Sequence, residues 1–222
     1  MDLVDKIFSF IAPYECLACS AQGPILCEAC TEAEIVQVIN SCIGCKKLSA
    51  NGKTCANCRS SFPIDALWAA CSYGPLAKQI VKEYKYNSKR GIAEFMTTQM
   101  LDVLPEAELL VTSVPTSSIR IRQRGFDHAA RLAKTLANKA RLPYSPLLRR
   151  LNNSHQVGSS RKKRIEQAEK LFLFGGTTDI SGKDILIVDD VVTTGASISA
   201  ATRVLKKAGA KNVYGLVFAR KV

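Results

Sequence analysis

Asp189 and Asp190 stand side by side at the end of an apolar run, Ile185–Val188, and two valines separate them from Thr193, Thr194, Gly195, Ala196 and Ser197. The turn of small residues leaves backbone N–H groups uncovered, and Gly195 lets the chain adopt positive φ or approach a ligand closely. The hydroxyls of Thr193, Thr194 and Ser197 add further donors. A helical pattern follows, with Ile198, Ala201, Leu205 and Ala208 on one face. The turn therefore sits at a helix start, where partial positive charge favours a phosphate group. Two carboxylates beside that phosphate must face something else, and vicinal sugar hydroxyls with a divalent metal nearby suit them. One ligand joins these parts: a ribose 5-phosphate carrying a metal-bound diphosphate. The sequence contains no GxxxxGK[ST] loop that would point to a nucleoside triphosphate instead.

A second chemistry lies near the N-terminus. Eight of the nine cysteines form four CxxC pairs: Cys16/Cys19, Cys27/Cys30, Cys42/Cys45 and Cys55/Cys58. Thiolates at this spacing are ligands for tetrahedral zinc, and eight of them supply two structural ions with no coordination position left for water. Sequential pairing is the simplest partition; cross-bracing, or one zinc from two of the pairs, stays open. Disulfides fit less well in a chain without a secretion signal, and four copies exceed what a redox CxxC needs. Thr31–Val38 is expected to be a short helix beginning at the metal. Cys71 stands alone in the apolar run ALWAACSY and reads as a buried thiol.

Basic groups are gathered between these features. Residues 120–170 hold 14 Lys and Arg against 3 Asp and Glu, while the whole chain carries a net charge of +12. A localised excess of this kind points to an anionic partner, phosphate or nucleic acid. Within it, Arg120, Arg122 and Arg124 occupy alternate positions on an expected turn, suited to diphosphate oxygens. Arg161, Lys162, Lys163 and Arg164 belong to a long polar loop, residues 149–170, of a length that is usually functional inside a domain. Lys85, Tyr86 and Lys89 could pair with and stack on single-stranded nucleic acid, or equally form an ordinary solvated helix end. His128 and His155, the only histidines, read as an ordinary helix-start residue and an ordinary loop residue, with an acid/base or DNA role the sharper option.

The elements that must position these groups follow from hydropathy patterning. Ile185–Val188 has the look of a parallel strand buried on both faces. Further strands are expected over Ala66–Tyr73, Leu109–Val114, Leu171–Phe174 and residues 212–219. Helices are expected over Leu76–Tyr86, after a break at Lys89-Arg90-Gly91 to about Val103, and over Asp127–Ala140. Ligands of open parallel sheets sit beyond the carboxyl ends of the strands. Those ends carry both the acidic pair and Pro115-Thr116-Ser117. The expected fold is therefore α/β, a mostly parallel sheet flanked by helices (residues 62–222), behind a small zinc-ribbon or knuckle module with a short N-terminal amphipathic helix (residues 1–61). With 47% apolar residues and no apolar run near the ~18 needed to span a bilayer, the chain reads as soluble. MDLVDKIFSFIAP lacks a basic start and a cleavage site, so a cytoplasmic location without membrane insertion is expected.

Val188-Asp189-Asp190-Val191-Val192-Thr193-Thr194-Gly195-Ala196-Ser197 resembles the phosphoribosyl-diphosphate (PRPP) loop of type I phosphoribosyltransferases. The resemblance implies that the acids hold the ribose hydroxyls and the TTGAS turn the 5′-phosphate. It also implies that Pro115, Thr116 and Ser117 form the diphosphate loop, that Mg²⁺ accompanies PRPP, and that a mobile loop covers it. The order of CxxC pairs, a KY-containing helix, a VP strand end, an RGF turn, a loop with Gln156 and Arg164, and the PRPP loop is similar over nearly the whole chain to the ComF family. Membership would imply a part in DNA uptake by natural transformation, handling single-stranded DNA with a competence helicase and recombination proteins. The alternative is an active phosphoribosyltransferase with an unidentified base or amine as acceptor. Two departures bear on this. The family's RGFNQ appears as Arg124-Gly125-Phe126-Asp127-His128, so a carboxylate stands near the diphosphate site unless Asp127 caps the helix. The loop position often held by Asn is Gln167.

Overall fold

The computed structural model describes residues 15–86, 90–151 and 171–221. The N-terminal helix expected before Pro13, together with His155, Gln156, Arg161, Lys162, Lys163, Arg164 and Gln167, lies outside the described residues, as does Lys89.

β5 (Asp184–Val192) is the central strand, and its sequence explains why. Leu186 and Val188 enter one apolar cluster and Ile185 and Ile187 the other, so its period-two alternation feeds a core on each side. Its neighbours are β6 (Asn212–Arg220) and β2 (Leu110–Ser113), and β1 (Ala66–Ser72) lies on the far edge of β6. All three pairings are parallel. On one face pack α3 (Pro75–Tyr86), α4 (Arg90–Leu101) and α6 (His128–Ala140), with Ile80, Tyr84, Met96, Leu132 and Leu136 fully buried. On the other lies α7 (Ala196–Lys207), through Ile198, Ala201 and Leu205. The result is the parallel α/β fold of type I phosphoribosyltransferases. Among the described residues no helix is long and apolar enough to cross a membrane.

Three local readings change. The zinc-proximal helix, α1, covers Glu28–Glu34 rather than Thr31–Val38. It starts directly after Cys27 and stops before the buried Ile35, which the core pulls out of helical geometry. Arg120–Arg124 is not a turn but a short helix, α5 (Ser118–Arg124), nucleated by Ser117, whose hydroxyl accepts from the Arg120 N–H. The expected Leu171–Phe174 strand is β4 (Phe172–Phe174), which leaves the main sheet to pair antiparallel with β3 (Leu148–Arg150).

The cysteine segment forms two knuckles laid against the sheet domain, with a second short helix, α2 (Ala56–Arg59), following Cys55. Ile25, Leu26 and Ile35 join the core beside α3, and Ile43 joins the core beside α7. Asp65, where this segment enters β1, accepts from Arg59 at 2.9 Å, from Lys206 of α7 at 2.7 Å and from the Val213 N–H at 2.8 Å.

Candidate functional site

Because β5 and β2 are adjacent and parallel, their carboxyl ends place the acidic pair beside Pro115-Thr116-Ser117. Asp189 and Asp190 continue β5 rather than ending it, so their side chains take opposite directions. Asp190 is 3% exposed, whereas Asp189 is half-buried and accepts from the Asp190 N–H at 2.9 Å. The Lys85 ammonium of α3 lies against Asp190 Oδ2, and His128 Nε2 stands 3.6 Å from Oδ1. Burial alone would raise the Asp190 carboxyl, but His128 and the Lys85 charge override it and hold Asp190 well below the usual carboxylate range. Asp189 is pushed the other way, by burial and by the negative charge of Asp190. Lys85 is thus turned into the acidic pair rather than presented on an outer helix face.

The same contacts organise the neighbouring loop. Asp127 caps α6 by accepting from the Ala130 N–H at 3.1 Å, and it also accepts from the Thr116 hydroxyl at 2.8 Å and the Thr116 N–H at 3.3 Å. The carboxylate that departs from the family pattern is therefore spent on helix and loop. His128, which the sequence offers as an ordinary helix-start residue, is 6% exposed. Its Nδ1 lies 3.1 Å from Arg124 Nη1 and 3.2 Å from the Thr116 hydroxyl, and its carbonyl accepts from Tyr84 at 2.6 Å. A guanidinium only donates, so Nδ1 accepts from Arg124 and the ring proton falls on Nε2, facing Asp190. The departure from Gln at this position was the one sequence signal that could have singled it out.

The three arginines do not share one face: residues four apart on a helix do, so Arg120 and Arg124 lie on one side, and Arg122, two residues from each, lies on the other. Arg124 turns inward and lies 5.1 Å over the Tyr86 ring, while Arg120 and Arg122 are exposed. Arg150 joins them unforeseen: it donates to the Pro115 carbonyl at 3.5 Å and lies 5.5 Å over Phe172. Burial depresses its guanidinium and the Arg120 charge adds to that, while Asp189 opposes it.

Thr193-Thr194-Gly195 leads into α7. Gly195 has φ +75°, which favours glycine, and a Cβ there would stand 2.9 Å from Ile43 Cδ1, so Ile43 would have to shift to admit one. Gly195 at the N-cap has no side chain to cap the helix, and the Thr194 hydroxyl accepts from the Ala196 N–H at 3.4 Å; Thr193, Thr194 and Ala196 are exposed, with Val191 and Ser197 half-buried beside the buried Val192. The helix start therefore presents donors and positive dipole to an anion.

The cysteines divide into two clusters in sequential order, Cys16/Cys19/Cys27/Cys30 and Cys42/Cys45/Cys55/Cys58, each with its sulfurs within 4.8 Å of one another. A zinc–sulfur bond of about 2.3 Å requires tetrahedral sulfurs to lie about 3.8 Å apart. Cys16–Cys27 and Cys19–Cys27 are both 3.8 Å apart, Cys42–Cys55 3.7 Å and Cys45–Cys55 3.8 Å. These spacings fit zinc and are far too long for disulfides. Burial would raise the Cys16 and Cys42 thiols, yet the N–H groups of each knuckle outweigh it and bring both down to about 6, whereas hydrogen bonds from the neighbouring cysteines push Cys30 and Cys58 up to about 12. Each cluster could hold one zinc. Cys71 is fully buried, donates to the Phe218 carbonyl at 3.3 Å, and is pushed up to about 12 by burial.

The family profile "Phosphoribosyl transferase domain" matches residues 121–221. The chain is 30% identical over 146 residues to competence protein ComFC of Bacillus subtilis (strain 168), covering 62% of this chain and 57% of that protein. It is 27% identical over 187 residues to competence protein ComFC of Streptococcus pneumoniae (strain ATCC BAA-255 / R6), covering 78% and 77%. The match thus spans little more than half the length of the Bacillus relative. Among solved structures, glutamine PRPP amidotransferase from B. subtilis, complexed with ADP and GMP, aligns with a TM-score of 0.43 at 21% identity, covering 60% of this chain and 29% of that one.

Proposed function

We propose that this chain, which belongs to the ComF family of competence proteins, binds PRPP with Mg²⁺ and handles incoming single-stranded DNA in the cytoplasm during natural transformation. The observation that carries the ligand is the pairing of Gly195, held at φ +75° at the start of a helix, with an acidic pair on the strand that precedes it. In this reading the loop 193–197 takes the 5′-phosphate and Asp189 and Asp190 face the ribose. Thr116 and Ser117, with Arg120 and Arg150, lie toward the diphosphate. Mg²⁺ would neutralise the diphosphate, and the acids would hold it through the ribose side of the ligand.

For DNA, the exposed Arg120 and Arg122 and the Tyr86 ring under Arg124 combine charge with a stacking surface, the pattern that single-stranded nucleic acid selects. The sequence excess of basic residues continues from there through residues 149–170. A competence helicase and recombination proteins are the partners this role requires. Zinc would hold the N-terminal knuckles.

Calorimetric titration with PRPP and Mg²⁺ tests the ligand. Saturable binding that Asp190→Ala weakens at least tenfold supports the reading, and no binding by the intact protein overturns it. Diphosphate release in the presence of a base or amine, abolished by the same substitution, would favour the transferase alternative. Single-stranded DNA binding that ignores Arg120→Glu/Arg122→Glu would overturn the DNA surface.

A further inference from the structure

The second thiolate cluster lies directly beneath the phosphate loop. Ile43 and Gly44 form the knuckle between Cys42 and Cys45. Ile43 is 3% exposed and shares a core with Val192 and Ile198, which flank the loop on either side. A Cβ on Gly195 would meet Ile43 Cδ1 at 2.9 Å and Phe62 Cε1 at 3.2 Å. A Cβ on Gly44 would meet Cys58 Sγ at 2.8 Å and Phe62 Cδ2 at 2.9 Å. Ligand cysteine, knuckle glycine, Phe62 and loop glycine therefore touch in sequence, with no slack between them.

Hydrogen bonds tie the same knuckle to the strand ends. Arg220, 1% exposed, donates to the Ser41 carbonyl at 2.9 Å and the Cys42 carbonyl at 2.8 Å. Its register partner on β5 is Val192, the residue entering the loop. Lys46 Nζ donates to the Lys221 carbonyl at 3.0 Å, and the Lys221 N–H donates to the Val192 carbonyl at 2.9 Å. The first cluster has no such relation: its Cys16, Ile25 and Leu26 pack in the core on the opposite face of the sheet, with Leu76 and Ile80 of α3.

We infer that the second cluster is a positioning device for the phosphate loop. Closing Cys42, Cys45, Cys55 and Cys58 on a metal seats Ile43 and Phe62 under Gly195 and fixes the loop in its anion-binding shape. Emptying the cluster loosens the loop and lowers affinity for a ribose 5-phosphate. Metal occupancy at this one cluster thereby sets ligand affinity, while the first cluster serves α3. The inference rests on the phosphate-loop reading above for its ligand, but not for its contact.

The test uses the full chain and three variants, Cys45→Ser, Cys19→Ser and Ile43→Ala, with the exposed Leu48→Ser as control. Zinc per chain, amide exchange of residues 191–199 and calorimetric affinity for ribose 5-phosphate are measured on each. Cys45→Ser is expected to lose one metal, to speed loop exchange at least tenfold more than Cys19→Ser does, and to weaken ribose 5-phosphate at least tenfold. Ile43→Ala should keep both metals and still speed loop exchange severalfold, while Leu48→Ser changes neither. Loop exchange equal in Cys45→Ser and Cys19→Ser overturns the inference. If Cys45→Ser fails to fold by circular dichroism, Ile43→Ala decides: unchanged loop exchange with both metals present overturns it. Failure of the intact protein to bind ribose 5-phosphate would sink the phosphate reading, while exchange would still decide the coupling.

Discussion

Asp190 is a buried carboxylate with an ammonium against one oxygen and an imidazole near the other. Removing one partner of a buried pair leaves an uncompensated charge, which costs about 3 kcal/mol. Lys85→Met should therefore lower Tm by roughly 6–12 °C at pH 7 for a chain of this size. Asp190→Asn in the same background should recover most of that loss, because the stranded charge is gone. The sign with pH follows from the depressed Asp190 carboxyl: the pair's contribution is complete above the unfolded Asp value of about 3.9 and is lost only as pH falls below it. Thermal melts of the two variants at pH 7 and pH 5 check this, and a Lys85→Met protein as stable as wild type would refute the pairing. Gly195 is the other residue with no substitute. Gly195→Ala meets both a positive φ and Ile43, and should cost about 1–3 kcal/mol in urea unfolding.

Between elements, Asp65 is the clasp that joins the exit of the knuckles, the start of β1 and the end of α7. Burial would raise its carboxyl, but Lys206, the Val213 N–H and Arg59 lower it. Asp65→Asn should cost about 1–3 kcal/mol. The gap to wild type should stay constant between pH 7 and pH 5, since a depressed carboxylate loses its contribution only as pH falls toward and below about 3.9. Urea titrations at the two pH values measure it. The main elements were legible because their hydrophobic periods are long: nine residues of β5, and helices whose apolar faces repeat. β3 was not, because three residues, two of them arginines, carry no hydrophobic period, and its partner β4 begins only at Phe172. The acids and the TTGAS turn could be read from spacing alone. Arg150, Arg220 and the seating of Ile43 under Gly195 could not, because each depends on chain crossings that no local pattern encodes. A charged residue closing the otherwise apolar β6 was the one hint at Arg220.

At the scale of the whole molecule, charge is concentrated in one quarter of the sequence. The parallel sheet sends the ends of β5 and β2 toward the same space, and α5 and Arg150 place cationic groups around it. Outside residues 120–170, acids and bases nearly cancel, so the electrostatic field of the protein is set by that quarter of the chain. A polyanion should then be held mainly by released counterions, and its affinity should fall steeply with salt. If about five phosphates are neutralised, log K against log salt should have a slope near −3.5 for a single strand. Arg120→Glu/Arg122→Glu removes two of the exposed contributors without touching Asp127, Thr116 or the loop at Gly195. It should flatten the slope by about 1.4 while leaving Tm within a degree or two. Fluorescence anisotropy of a labelled oligonucleotide across 50–300 mM salt measures both slopes. Equal slopes for the two proteins would place the nucleic acid elsewhere on the molecule, and the acidic pocket and the basic surface would then have to be explained separately.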